Sequence, residues 1–485
     1  MTQLEDSNVA TDRRQETRTH EAGSRMPGSA ERAVDYARNY RRRAFHANLL
    51  VGAVWATGGV AAMLFLTSAG TAPFGTIGAA VSSLGIIAGL VGTDFILVML
   101  VLAARVPFID RTIGHDRAIA VHRSLGKPAL YLLLGHGTLL LIGYGLEQGI
   151  SPFAELGPML ATPNMPLAFI ALGLMIVVVV TSLVAVRRSF SYEGWHVIHL
   201  LSYVAVAVAI PHQLSLGGVL ATGTLPRVYW ITLYVLAFGA IATYRVVEPV
   251  VSTLRHRIRV DRVEAVAEGV VSIHLSGREL LSLGAAGGQF FVWRFWTGST
   301  WWHSHPVSLS SVPTDGTARI TLRDLGDGSR RILSIPSGTS VSIEGPYGLF
   351  TPRARTAPKL AIVAAGIGIT PARALLEESR LSPGEATVLL RTSADDRYLW
   401  DETATIAKAK GAKFYTMTGP RATSGALWMP QRDATRGVSL RSVFPDLLDS
   451  DLYACGPPAW LELIEAEAIA AGLPPHRLHS ERFDW

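Results

Sequence analysis

The chain has one cysteine, Cys455, in 485 residues. That excludes an intramolecular disulfide and any iron–sulfur cluster held by four cysteines of this chain, so a ferredoxin function would need a partner. Charged residues are few, 17% against 49% hydrophobic. The formal net charge of +6 is modest, and the basic residues are not interleaved with aromatics as on a nucleic-acid surface, so no nucleic-acid partner is expected. No internal repeat of the kind that builds secondary transporters is visible. The opening residues lack the basic region, apolar run and small-residue cleavage site of a signal peptide. Lys and Arg are almost missing from 69–79, 147–164 and 212–226.

Long apolar runs fill the first half instead. Six of them, roughly 46–68, 80–104, 124–146, 165–186, 193–211 and 228–247, are each near the length that crosses a hydrocarbon core of about 30 Å. Basic residues gather at Arg41–Arg43, between Arg105 and Lys127, at Arg187–Arg188 and from Arg245 to Arg257. Alternation with the poorly charged loops places both termini on the cytoplasmic side of a cell membrane. Residues 1–43 read as a disordered polar tail and 44–248 as a six-span bundle.

Four histidines punctuate the spans. His122 and His136 are 14 residues apart in the third, His199 and His212 13 apart in the fifth. These spans run in the same direction, and the separations are about 21 and 20 Å along the axis. Two stacked haems, each bridging both spans, fit that arrangement, since intramembrane polar residues are costly and mark function. Fourteen residues return to within about 40° of one helix face, whereas thirteen leave His212 about 140° off, with Pro211 placed to kink the helix. His196 is an alternative or an assistant to His199. His115 is expected in an exposed charged loop. Arg123 and Lys127 are either haem-propionate partners or topology anchors.

The run Asp110-Arg111, His122-Arg123-Ser124-Leu125-Gly126 and His136, with Trp195, His199, Tyr203 and His212, resembles the ferric reductase-like transmembrane domains of ferric reductases and NADPH oxidases. The resemblance covers about residues 46–247. It implies two haem b groups ligated by His122, His136, His199 and His212.

Beyond the spans the composition becomes globular. Residues 253–355 contain strand-like runs at 270–275, 289–294 and 318–323 separated by Gly and Pro turns, which predicts a small antiparallel β-barrel. Residues 357–485 alternate strands and helices, which predicts an α/β nucleotide domain. Gly366-Ile367-Gly368-Ile369-Thr370-Pro371 follows an apolar strand and opens a helix, either as a plain strand-to-helix turn or as a pyrophosphate site. Cys455-Gly456-Pro457 lies at another strand end, where open α/β sheets bind ligands. Arg391 and Ser393 follow the second strand of this unit. A bidentate arginine suits a 2′-phosphate, which favours NADPH, with NADH as the alternative and Arg421 assisting.

These two regions resemble the ferredoxin–NADP reductase family. His305-Pro306-Val307-Ser308 is similar to its first flavin motif. The resemblance implies that His305 faces the FAD pyrophosphate and that Ser308 lies near the flavin ring. Val307 stands where an aromatic is usual, so stacking at that face would differ. Gly326-Asp327-Gly328-Ser329 is similar to the second flavin motif, and Gly345-Pro346-Tyr347-Gly348 to the turn that ends the barrel. Gly366, Gly368, Thr370 and Pro371 would hold the nicotinamide nucleotide. Cys455, Gly456 and Pro457 would lie near nicotinamide and flavin, Cys455 otherwise serving as a buried packing residue. Phe483 or Trp485 would cover the flavin. Ser308 and Cys455 are the catalytic candidates.

The expected fold is a multidomain membrane protein: six-helix bundle, FAD barrel, then NAD(P)H domain. The expected function is electron transfer from cytoplasmic NAD(P)H through FAD and two haems to ferric iron or another small extracytoplasmic acceptor. Dioxygen, giving superoxide, or a redox protein partner are the alternatives.

Overall fold

The computed structural model describes residues 28–68, 74–187, 189–190, 192–216, 218–298, 300, 303–324, 327–393 and 397–482. The first helix, α1 (Ser29–Ser68), begins well before the first apolar run, so the part of the expected tail from Ser29 onward is helical. Helix α2 (Ile77–Ala103) starts where Thr76 Oγ1 accepts the Ala79 amide at 3.1 Å, an N-cap that satisfies an orphan donor. A short α3 (Pro107–Ile113) leads into α4 (His115–Gln148). Then come α5 (Pro152–Ala161), α6 (Met165–Ser182) and α7 (Tyr192–Ser215), which continues through Pro211. Helix α8 (Leu225–Ala242) passes through a π-helical segment, Thr243–Val247, into α9 (Glu248–His256). Among the described residues, six helices are long and apolar enough to cross a membrane: α1, α2, α4, α6, α7 and the continuous Leu225–His256 rod.

Helices α2 and α4 pack most closely, through small residues of α2. A Cβ at Gly85 would stand 3.1 Å from Leu139, and one at Gly92 3.2 Å from Leu132. Small side chains let two backbones approach where no hydrophobic force distinguishes helix from lipid.

The next region forms two three-stranded antiparallel sheets. One joins β1 (Arg259–Ala267), β2 (Val270–Ser276) and β5 (Thr317–Arg323) in the order β1-β2-β5. The other joins β3 (Phe290–Phe295), β4 (His305–Ser308) and β6 (Val341–Tyr347) in the order β4-β3-β6. Among the described residues, isolated bridges at Arg259 to Ser340 and Leu309 to Ile320 connect the sheets, with backbone bonds such as Val341 N to Ile258 O beside them. The sequence predicts a closed antiparallel barrel; the structure has two separate three-stranded sheets around one core that includes Ile273, Phe291 and Trp293.

The last region is a parallel sheet, β11-β10-β7-β8-β9. Its strands are β7 (Lys359–Ala365), β8 (Ala386–Thr392), β9 (Lys413–Thr418), β10 (Ser450–Gly456) and β11 (Leu478–Arg482). Alternate β7 residues feed separate cores: Leu360, Ile362 and Ala364 on one face, Ala361, Val363 and Ala365 on the other. Burial on both faces is why β7 reads as an unbroken apolar run. The chain leaves β7 into α10 (Ile369–Glu378) and leaves β10 into α11 (Pro458–Ala470).

Candidate electron-transfer site

His122 and His199 face each other across the bundle, ring centres 6.2 Å apart. Two imidazole–metal bonds of about 2.0 Å, plus about 1.1 Å from each bonded nitrogen to its ring centre, span roughly that distance. Each Nδ1 is already engaged: His122 with Met99 O at 3.1 Å, and His199 with Ser182 Oγ at 3.3 Å. An Nδ1 hydrogen bond fixes the ring and directs Nε2 outward. Trp195 stacks on His199 at 4.9 Å and donates to the same Ser182 Oγ at 3.3 Å. His196 is on the exposed side of α7, so His199 is the residue brought opposite His122.

His136 Nδ1 lies 2.8 Å from Gly85 O. Gly85 and Met99 are themselves 14 residues apart in α2, so antiparallel packing against α4 supplies one carbonyl to each histidine. Gly89 completes the seat, because a Cβ there would stand 2.5 Å from His136 Nδ1. His136 and His212 line one largely apolar cavity of about 320 Å³ with Tyr144, Met175, Trp230 and Tyr234. The angular offset computed for His212 on an ideal helix therefore does not separate it from His136. Among the described residues no group of three His, Cys, Asp or Glu could hold a metal ion; axial haem ligation needs only a pair.

The reductase region meets the bundle at His115. Its side chain is 12% exposed and Nδ1 lies 3.5 Å from Asp110 Oδ1. The ring stacks on Tyr347 at 5.9 Å and meets Phe290 edge-on at 6.3 Å. The exposed loop position expected for His115 is thus corrected: the reductase sheet covers it. Phe290 is paired with Ser308 in the β3–β4 ladder, and His122 follows His115 by seven residues, about 10 Å of helix rise.

On β4, Ser308 Oγ and His305 Nε2 are buried and make no hydrogen bond among the described residues. Burial holds the His305 ring pKa down to about 4, with His303 adding to the effect. Val307 accepts from Trp293 Nε1 at 2.9 Å and Pro306 is paired with Val292. Gly328 and Ser329 lie in a helix, Asp327–Ile332; Gly326, Phe483 and Trp485 lie outside the described residues.

In the parallel sheet, β7 and β10 are neighbours whose following helices begin side by side. Gly366 has φ +55° and open space where a Cβ would project, a turn for which glycine is suited. A Cβ at Gly368 would overlap Cys455 O, so only glycine lets this turn close against β10. Thr370 Oγ1 donates to Ile367 O at 3.0 Å, and Pro371 is buried in the first turn of α10. Gly456 and Pro457 stand at the end of β10 beside this turn. Cys455 is fully buried, its Sγ 3.5 Å from Glu481 O. Burial pushes its thiol pKa well up, with Glu481 adding to the shift, which disfavours the thiolate. Arg391 Nη1 donates to Ser393 Oγ at 3.0 Å and Nη2 to Gly419 O at 3.1 Å. Burial, with Arg421 nearby, lowers the Arg391 pKa.

Residues 88–210 match the family described as ferric reductase like transmembrane component. A curated relative, the toluate 1,2-dioxygenase electron transfer component of Pseudomonas putida, is 26% identical over 235 residues, 47% of this chain and 67% of the relative. Ferredoxin–NADP reductase B of Sorangium cellulosum is 26% identical over 36% of this chain and 77% of its own length.

A ferric-reductase-like membrane region is fused here to a ferredoxin-reductase-type module.

The flavohemoprotein of Bacillus subtilis is 25% identical over 38% of this chain, which spans about half, 48%, of that relative. Among solved structures, the FAD/NAD-binding domain of nitric oxide dioxygenase from Vibrio cholerae aligns with 47% of this chain and 98% of its own at 21% identity and a TM-score of 0.38. The match to the ferric-reductase-like region contains His122, His136 and His199 and ends just before His212. Sequence reasoning missed the groups that seat these rings: Met99 O, Gly85 O, Ser182 and Gly89. The clustered small residues of 75–89 carried a signal for the last of these.

Proposed function

We propose that this protein is a transmembrane oxidoreductase that moves electrons from NAD(P)H to ferric iron or another small acceptor. The observation that carries this reading is the His122–His199 pair, 6.2 Å between ring centres, with both Nδ1 atoms engaged and both Nε2 atoms left for a metal. FAD, when bound, converts a hydride into single electrons, and two haem b groups supply a one-electron path. His122 with His199 would hold the haem nearer the reductase module, and His136 with His212 the farther one.

The buried unpaired atoms of His305 and Ser308 suit a flavin that supplies hydrogen-bond partners. The amides that open α10, with Gly366, Gly368, Thr370 and Pro371 around them, suit a nicotinamide nucleotide pyrophosphate. Arg391 and Ser393 at the end of β8 suit a 2′-phosphate, which favours NADPH over NADH. The buried Cys455 contributes a closely packed strand end. The charge asymmetry of the loops supports cytoplasmic termini and a cytoplasmic reductase module in the cell membrane.

The likeness to a dioxygenase electron transfer component favours a second reading, an electron-supply protein for a redox partner.

The test is an absorption spectrum of the purified protein before and after anaerobic NADPH. Reduced b-type bands with a bleached flavin are expected, followed by reoxidation on adding a ferric chelate. A flavin signal without haem would overturn the four-histidine assignment. Reoxidation only by a redox protein would favour the second reading.

A further inference from the structure

The bundle and the reductase module meet around a second cavity of about 280 Å³, apart from His122, His136, His199 and His212 and from the nucleotide crevice. Arg105, Arg111, Arg255, Glu248, Val251 and Tyr347 line it. Arg105 and Arg111 belong to the α2–α3 corner, and Val251 and Arg255 to α9. The rod ending in α9 has 32 residues. At about 1.5 Å per residue it outruns a hydrocarbon core of about 30 Å, so its final turns stand at headgroup level and beyond. Apolar side chains stay exposed on those turns: Val250, Val251 and Leu254 at 52, 54 and 68%, with Phe108 of α3 at 56%.

The charged groups that line the cavity, together with their ion-pair partners beside it, carry excess positive charge. Glu344 is shared between Arg245 at 2.5 Å and Arg105 at 3.5 Å, and Glu279 holds Arg255 at 2.7 Å. With Glu248 and Arg111 added, four arginines meet three carboxylates. Arg105 Nη1 is buried with only the long 3.5 Å contact to Glu344, and its guanidinium is held over the Tyr347 ring at 5.1 Å. A guanidinium that shares its one carboxylate with Arg245 has donors to spare, and its planar fork matches phosphate oxygens. A phosphodiester carries the single negative charge that these groups lack.

We propose that this cavity binds the phosphate of an anionic phospholipid from the leaflet on the reductase side, its acyl chains lying along Val250, Val251, Leu254 and Phe108. The lipid would then seal the seam between the bundle and the reductase module.

The test uses the full chain in nanodiscs of phosphatidylcholine mixed with phosphatidylglycerol, with retained lipid counted by native mass spectrometry. The wild type is expected to retain phosphatidylglycerol in preference to phosphatidylcholine. Arg111→Gln, at an exposed position, should weaken that retention about fivefold, the factor for one arginine near an anionic surface. Arg38→Gln, with a side chain 75% exposed on α1, should leave it unchanged. Equal retention of the two lipids, no loss in Arg111→Gln, or displacement of the lipid by inorganic phosphate would each overturn the proposal, the last by marking a soluble-anion site.

Discussion

Arg32 and Glu385 lie 353 residues apart in the chain and form an ion pair at 2.5 Å, their side chains 8% and 12% exposed. Three further contacts follow along α1. Arg355 sits over the Tyr36 ring at 5.0 Å, Tyr40 stacks on His476 at 4.8 Å, and Arg43 donates to Ala354 O at 3.3 Å. Since α1 is one helix from Ser29 to Ser68, the strap on the nucleotide domain and the first span are a single rod. The crevice between β7 and β10 is thereby held at a fixed place relative to the bundle.

Removing one partner of a largely buried ion pair strands the other charge. Arg32→Ala should cost about 3 kcal/mol and release the start of α1. Faster hydrogen exchange over residues 29–45 would record this. The swap Arg32→Glu with Glu385→Arg should restore most of the protection. Unchanged exchange in Arg32→Ala would show that the strap is held by the aromatic contacts instead.

Gly89 faces the His136 ring, whereas Gly126, also in a helix, has nothing within 4 Å of its Cβ position. Gly89→Ala should push His136 away from Gly85 O and lower haem content by about half in a protein with two sites, the His122 site keeping its haem. Gly126→Ala should be silent. Pyridine haemochrome assay against protein concentration decides it; full haem content in Gly89→Ala would remove His136 as a ligand.

Arg391 is the buried cation at the end of β8. If it reads a 2′-phosphate, Arg391→Ala should raise KM for NADPH about 10- to 100-fold, the range for a hydrogen bond to a charged group, with KM for NADH little changed. Steady-state reduction of ferricyanide with each nucleotide separates the cases. A parallel loss with both nucleotides would give Arg391 a packing role through Gly419 O.

His305 is held neutral by burial, its folded-state pKa near 4 against an ordinary 6.5. The unfolded chain therefore binds more protons than the folded one between those values, and stability rises with pH across that window. The contribution is complete above about pH 6.5 and is lost as pH falls towards 4. His305→Gln should flatten this part of the unfolding-midpoint curve measured from pH 7 to 4. A curve of unchanged slope would place the proton uptake elsewhere.

Much of this protein was legible in its residues. Span number and the split into bundle and reductase module follow from apolar run length and loop charge, which are local quantities. The candidate histidines stood out because imidazole is rare in such runs. The parallel sheet was legible because strands buried on both faces read as apolar runs followed by helices. Residues 29–43 misled because a charged amphipathic segment resembles a free tail until its partners, Glu385, Arg355 and His476, are brought to it by folding.

Which side chains are candidates for metal, flavin and nucleotide can be read along the chain, because chemistry and spacing along one helix or strand are local. Which of them meet is a matter of folding. The antiparallel register of α2 on α4 assigns Met99 O to His122 and Gly85 O to His136. The docking of β3 and β6 on the start of α4 covers His115. Such pairings depend on register and distance between segments far apart in the chain, and these are fixed only when glycine stripes, aromatic rings and ion pairs pack together in three dimensions.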